Sequence, residues 1–243
     1  MDTSSFGLAD IARPAARVPH DCESCAMSRL CHPASDPPPT APYSYGRRRV
    51  RRGEAAYRAG DPLSNLYQLR AGSMKIRITN PSGVEQITAF PIAGALLGLD
   101  AIETGTHASD AIALEDSEVC VLPYAQLMAH CSHDPAAAHL LHQCIAHDIN
   151  QCHRLLLTLG RMTTEVRIAG FMVDLSEQMA AQGYSPREFV LKMTREDIAN
   201  HLGMQIETVC RVFSRLQSAA LIQVTKRHLE ILDVEALRRM RCG

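Results

Sequence analysis

The spacing of apolar and polar positions changes twice along the chain. From Val50 to Pro123 it is short. The runs "MKIRI" and "QITAF" alternate apolar and polar residues, which turns one face of each inward as a strand. Between them "NPSG" reads as a hairpin turn. Glycines at 53, 60, 72, 83, 94 and 98 separate further short runs. Many short strands between glycine turns predict a β-sandwich or jelly roll.

From Tyr124 the period lengthens. Leu141, Ile145, Ile149, Cys152, Leu156 and Leu159 step by three and four, predicting one apolar face on a helix from about Ala136 to Arg161. Its other face carries His, Asp, Gln and Arg. Such a stripe on a helix joining two lobes is expected to be the seam of a homodimer; the competing reading packs it on its own lobe. Thr163 to Gln182 predicts a second amphipathic helix with Val166, Ile168, Ala169, Phe171, Met172 and Leu175 inward. "AQGYSPREFVLKM" then reads as a loop entering a short strand.

The third pattern is "TREDIANHLGMQIETVCRVFSRLQSAALI", Thr194 to Ile222. Thr194 is placed to cap a helix, with Asp197 as the acidic partner of a capping box. Ile198, Ala199 and Leu202 face inward, and Gly203 turns the chain into a helix from about Ile206 to Ala219. Two short helices with a small residue at their contact and glycine in the turn make a helix-turn-helix. Glu207, Thr208, Cys210, Arg211, Ser214 and Arg215 point outward on the second helix, and with Thr194 they form the expected DNA-facing set. Arg can donate twice to guanine O6 and N7, and Glu can accept from a cytosine amino group. The plainer alternative is a Glu207 to Arg211 surface ion pair. "KRHLEILDVEALRRM" reads as the hairpin and closing helix of a winged domain.

Charge sharpens this locally. The whole chain carries a formal −1, but from Ser185 onward ten Lys and Arg stand against seven Asp and Glu, a net +3. An excess this mild implies that a dimer doubles the phosphate contacts. The first twenty residues lack the basic start and apolar run of a secretory signal, and no stretch reaches the roughly 18 apolar residues of a membrane span, so a cytoplasmic protein is expected.

Nine cysteines in a reducing compartment argue for metal or redox chemistry rather than a disulfide framework. Three cluster at the N-terminus as C-x2-C-x5-C: Cys22, Cys25 and Cys31. Five prolines at 33, 37, 38, 39 and 42 follow, an extended connector. Four thiolates suit zinc or an iron–sulfur cluster. On chemistry alone Cys120, Cys131, Cys144 and Cys152 all compete for the fourth place, the last two also reading as core or seam residues. A thioredoxin-like redox enzyme built on Cys22 and Cys25 would need a strand before the pair, and "ARVPHDCESC" supplies none. No enzyme is expected.

A β-roll, a long connecting helix and a winged helix-turn-helix, in that order, resemble the CRP/FNR family of bacterial regulators. "YRAGDPLSNLYQLRAGSMKI", "GVEQITAFPIAGALLGLDAI" and "GYSPREFVLKMTREDIANHLGMQIETVCRVFSRLQ" carry the likeness, and C-x2-C-x5-C resembles its oxygen-sensing FNR branch. The resemblance implies an α+β fold: a cluster-binding arm over 1–46, a cyclic-nucleotide-binding-like jelly-roll domain over 47–135, a dimerisation helix over 136–162 and a winged helix-turn-helix over 163–243. It implies Cys120, in "ALEDSEVCVLP", as the fourth ligand of a [4Fe-4S] cluster that oxygen degrades. It further implies a homodimer on double-stranded DNA at a TTGAT-type palindrome, and RNA polymerase as a partner of roll loops such as Thr79 to Gly83. Cys210 stands where the family usually has Ser, and prolines stand where it usually has a short helix. Nucleotide-binding rolls carry a Gly-Glu cassette followed by an Arg. Here no Glu follows Gly94 and no Arg occurs between Gly94 and Leu114, so no cyclic nucleotide is expected.

Overall fold

A computed structural model describes residues 25, 27–31 and 46–242. Cys22 and the proline-rich connector lie outside them. In the N-terminal lobe the described strands are β1 (Arg47–Val50), β2 (Ala55–Tyr57), β3 (Asn65–Ala71), β4 (Met74–Thr79), β5 (Glu85–Ala89), β6 (Leu96–Leu97), β7 (Asp110–Ala113) and β8 (Ser117–Pro123). They pair antiparallel in two four-stranded sheets, ordered β1-β8-β3-β6 and β2-β7-β4-β5. The β4–β5 turn forms because the Asn80 side-chain oxygen accepts from the backbone N–H of Ser82 and Val84 at 3.0 and 2.9 Å, while Gly83 takes φ +83°. Between the sheets lie Val50, Ala56, Tyr57, Leu69, Met74, Leu97, Ala111 and Val119.

The first sheet is covered on both faces. Side chains alternate along β8, so Val119 enters the core between the sheets and Leu122 points the other way. Leu122 packs there with Leu66, with Leu127 and Cys131 of α2 (Tyr124–His133), and with Ala137 and Leu141 of α3 (Pro135–Arg161). The sequence pattern does not separate α2 from α3. The break falls at Asp134, whose extended backbone stops α2 and whose carboxylate caps α3 by accepting from Ala136 and Ala137 N–H at 2.9 and 3.2 Å. Pro135 fits the first helical position because its missing N–H is not needed there.

The same cluster holds a short helical turn, α1 (Ser28–Cys31), in the segment expected to be the cluster-binding arm. Leu30 is fully buried, and burying a leucine contributes about 1.5–3 kcal/mol, which offsets much of the ordering of so short a turn.

The C-terminal lobe comprises α4 (Thr164–Ala181), β9 (Glu188–Val190), α5 (Arg195–His201), α6 (Ile206–Ser218), β10 (Ile222–Thr225), β11 (His228–Ile231) and α7 (Val234–Cys242). The three strands form one sheet, β10-β11-β9. Its core of Ile168, Met172, Ile198, Val209, Phe213, Leu216 and Leu229 continues into the roll through Ile87, Phe90 and Leu114. No described helix is long and apolar enough to cross a membrane.

The stripe on α3 divides between the two readings given to it. Leu141, 5% exposed, belongs to the chain's own core, and Ile145 packs beside it. Ile149 and Leu156 are 49% and 67% exposed, and Cys152 is exposed between them. Leu159 is half-buried against the C-terminal lobe.

Candidate functional site

The helix-turn-helix is built as its sequence requires. Thr194 Oγ1 accepts from Asp197 N–H at 3.0 Å, and Asp197 Oδ2 accepts from Thr194 N–H at 2.9 Å, a closed capping box on α5. Asp197 also takes the Lys75 ammonium of β4 at 2.6 Å. Burial pulls its carboxyl pKa up, but the bonds from Lys75 and Thr194 outweigh that and hold it below the usual carboxylate range. Val209, Val212, Phe213 and Leu216 fix α6 from beneath, and the Arg195 guanidinium lies 3.4 Å over the Phe213 ring.

Glu207, Cys210, Arg211, Ser214 and Arg215 are exposed on the outer face of α6, and Thr208 is half-buried. Arg211 donates to Thr208 Oγ1 at 3.1 Å and makes no ion pair with Glu207, so both keep their polar ends outward. Ser214 Oγ donates to the Cys210 carbonyl. Arg215 pairs with Glu165 in the first turn of α4 at 2.6 Å, so it is engaged inside the chain.

The thiols lie at the opposite end of α3. Cys31 is buried in the cluster with Leu30, Leu122 and Cys131, and Cys25 is half-buried. Cys120, also buried, is two residues before Leu122 on β8 and therefore on the same face of the sheet, beside Gln68 of β3. Among the described residues, no three His, Cys, Asp or Glu side chains come together as a metal-binding group. Burial pushes the Cys131 and Cys144 thiols above their ordinary pKa, with Asp134 adding to the first and Asp148 to the second.

Among the described residues, polar contacts fasten the arm beside the burial of Leu30 and Cys31. Arg29 Nε donates to Asp134 Oδ2 at 3.1 Å, His130 Nε2 lies 2.8 Å from the Arg29 carbonyl, and Cys144 Sγ sits 3.7 Å from Met27 Sδ. Asp134 caps α3, so the arm touches the first turn of that helix directly. The Arg29 bond comes first, with the α3 amides adding to it, in holding the Asp134 carboxyl below its ordinary range.

Family matching covers both lobes. A cyclic nucleotide-binding domain family matches residues 47–134, and a Crp-like helix-turn-helix domain family matches 166–240. The transcriptional regulatory protein Btr of Bordetella pertussis is 37% identical over 223 residues, spanning 90% of this chain and 92% of that protein. The chain belongs to the CRP/FNR family of regulators. The fumarate and nitrate reduction regulatory protein of Escherichia coli K12 is 34% identical over 90% of this chain and 89% of its own length. The solved structure of FixK2 from Bradyrhizobium japonicum superposes with a TM-score of 0.74 at 26% identity, covering 82% of this chain and 98% of that one.

As a CRP/FNR regulator the chain binds DNA and acts on transcription. Its outward set on α6 was legible because a helix period and a glycine turn are local signals. Arg29, His130 and Asp134 were not: their partners lie about a hundred residues away. Asp134-Pro135 is the one local signal that could have found the cap.

Proposed function

We propose that this regulator binds a TTGAT-type palindrome as a homodimer in the cytoplasm without oxygen, under control of a [4Fe-4S] cluster. The observation that carries the reading is the docking of the Met27–Cys31 segment onto the cap of α3, in the apolar cluster bordering Cys120. The donor chemistry fits: Cys31 and Cys120 are buried and Cys25 is half-buried, and thiolates are the ligands such a cluster takes. Cys22, Cys25, Cys31 and Cys120 would hold the cluster, which supplies an oxygen-reactive iron–sulfur centre, open also to nitric oxide.

The chain's own residues do the rest. Leu30 and Cys31 seat the arm, and Arg29 passes its position to Asp134. A settled first turn favours pairing of α3 along Ile145, Ile149, Cys152, Leu156 and Leu159. Paired α3 helices present two copies of α6, with Arg211 donating to guanine and Glu207 accepting from cytosine in each half-site. The Thr79–Gly83 turn is left for RNA polymerase. The reading of a roll that takes no cyclic nucleotide is supported by the missing Gly-Glu cassette at Gly94 and the absence of an Arg between Gly94 and Leu114.

Anaerobic purification followed by visible spectroscopy tests the cofactor. Broad absorption near ~400 nm, bleached by air, is expected. A colourless zinc protein refutes it. Cys120→Ala abolishes the colour and Cys131→Ala keeps it; the reverse result moves the fourth ligand to Cys131. Arg211→Ala costs about 1–3 kcal/mol of specific binding per half-site in fluorescence anisotropy, with little loss on random DNA.

A further inference from the structure

The recognition helices of a dimer read two half-sites only if something fixes their separation. We infer that Arg167 is that positioning residue: one guanidinium rivets the end of α3 to the end of α5 and so sets the half-site spacing. This rests on the dimeric DNA-binding reading above.

Arg167 stands in the first turns of α4, beyond the break between the two helices at Met162 and Thr163. Its Nη2 donates to the Leu159 carbonyl at 2.9 Å and its Nε to the Met162 carbonyl at 3.0 Å. Both are carbonyls left over at the C-terminal end of α3. Its Nη1 donates to the Leu202 carbonyl at 2.8 Å and reaches that of Gly203 at 3.4 Å, at the end of α5. Both helix ends carry the negative pole of a dipole, so a single cation between them removes their repulsion and satisfies their orphan acceptors. Only the planar fork of Arg reaches both ends at once; a lysine ammonium is a point donor.

The geometry around it is closed. Gly203 takes φ +59°, and a Cβ there would come within 3.1 Å of Leu159 Cδ2, so the helix-turn-helix turn presses on the last turn of α3. Glu165, two residues before Arg167, holds Arg215 of α6 at 2.6 Å. The path from seam to base-reading face is therefore short: Leu159, Arg167, Leu202 and then α6. It contains no long loop to absorb a change of spacing. Inserting one base pair turns one half-site by roughly 34° relative to the other, and a riveted dimer cannot follow.

The test uses the full chain, purified without oxygen, on duplexes with a TTGAT inverted repeat at its preferred spacing, the same repeat with one base pair added or removed, and random sequence. The wild type is expected to lose about tenfold or more in affinity when the spacing changes. Arg167→Met is expected to compress that ratio to about twofold or less, while its sedimentation still shows a dimer. Arg167→Lys keeps the charge and behaves like Arg167→Met; should Arg167→Met fail to fold, the lysine variant decides. A folded variant with wild-type spacing discrimination overturns the role of Arg167. So does a wild type that prefers the palindrome to random DNA yet ignores its spacing, and in that case the DNA-binding reading stands. A wild type without preference for the palindrome overturns both.

Discussion

Asp197 serves two lobes at once. It closes the capping box of α5 and accepts the Lys75 ammonium from the roll, and both members of that pair are mostly shielded from water. Asp197→Asn removes the charge from both and is expected to cost about 1–3 kcal/mol at pH 7. Because its folded pKa is depressed, the contribution is complete above the unfolded value of about 3.9 and is lost as the pH falls through the folded one. Thermal melts should therefore separate wild type from Asp197→Asn at pH 7 and converge towards pH 3. Cys210 is a smaller matter of the same scale. It is exposed on the outer face of α6, and a thiol there is a weaker hydrogen-bonding group than a serine hydroxyl would be.

At the scale of elements, α3 is two helices in function. Its first turns are committed to the roll through Ala137 and Leu141, and its middle exposes Ile149 and Leu156. An exposed isoleucine and leucine separated by two turns fit the seam proposed for the dimer, since a lone helix gains nothing by showing them to water. Leu156→Glu puts a charge in each half of that seam. Sedimentation equilibrium of the anaerobic protein should show association weakened in favour of monomer by about tenfold or more, with the spectrum of the arm site unchanged. Arg29→Ala acts at the other end: it frees Asp134 from the arm without touching the seam. The dimer constant should fall by a smaller factor, because Asp134 still caps α3 unaided.

The whole molecule is held together across its lobes by a clasp between α5 and the edge strand β5. Asn200 Oδ1 accepts from Ile87 N–H at 2.6 Å, and Asn200 Nδ2 donates to the Glu85 carbonyl at 3.0 Å. In return Gln86 Nε2 donates to the Asn200 and His201 carbonyls at the end of α5. A side-chain amide thus pairs an edge that would otherwise be open to another strand. His201 Nδ1 lies 3.0 Å from the Ile87 carbonyl, with the ring against Phe90 and Phe171, and burial lowers its pKa. The clasp is therefore whole above the unfolded value of about 6.5 and weakens as the pH falls below it towards the folded value. Hydrogen exchange of β5, corrected for the intrinsic rate, should quicken between pH 7 and pH 5.5. Asn200→Ala should quicken it at pH 7 as well, and unchanged protection in that variant would show that the clasp does not close the strand edge.

Features that depend on neighbours a few residues apart were legible in the order of the amino acids. The β4–β5 turn, the long period of α3, the capping box at Thr194 and Asp197, and the outward face of α6 all follow from spacing within a dozen residues, because helix and strand periods and caps are local physics. What only the tertiary structure decided are pairings whose members no local pattern links: Arg29 with Asp134, Gln86 and Ile87 with Asn200, and Arg167 with the ends of two helices. It also decided that Leu141 turns inward while Leu156 stays exposed. A periodic stripe records that one face is apolar, whereas which part of that face is covered depends on where the roll ends beside it.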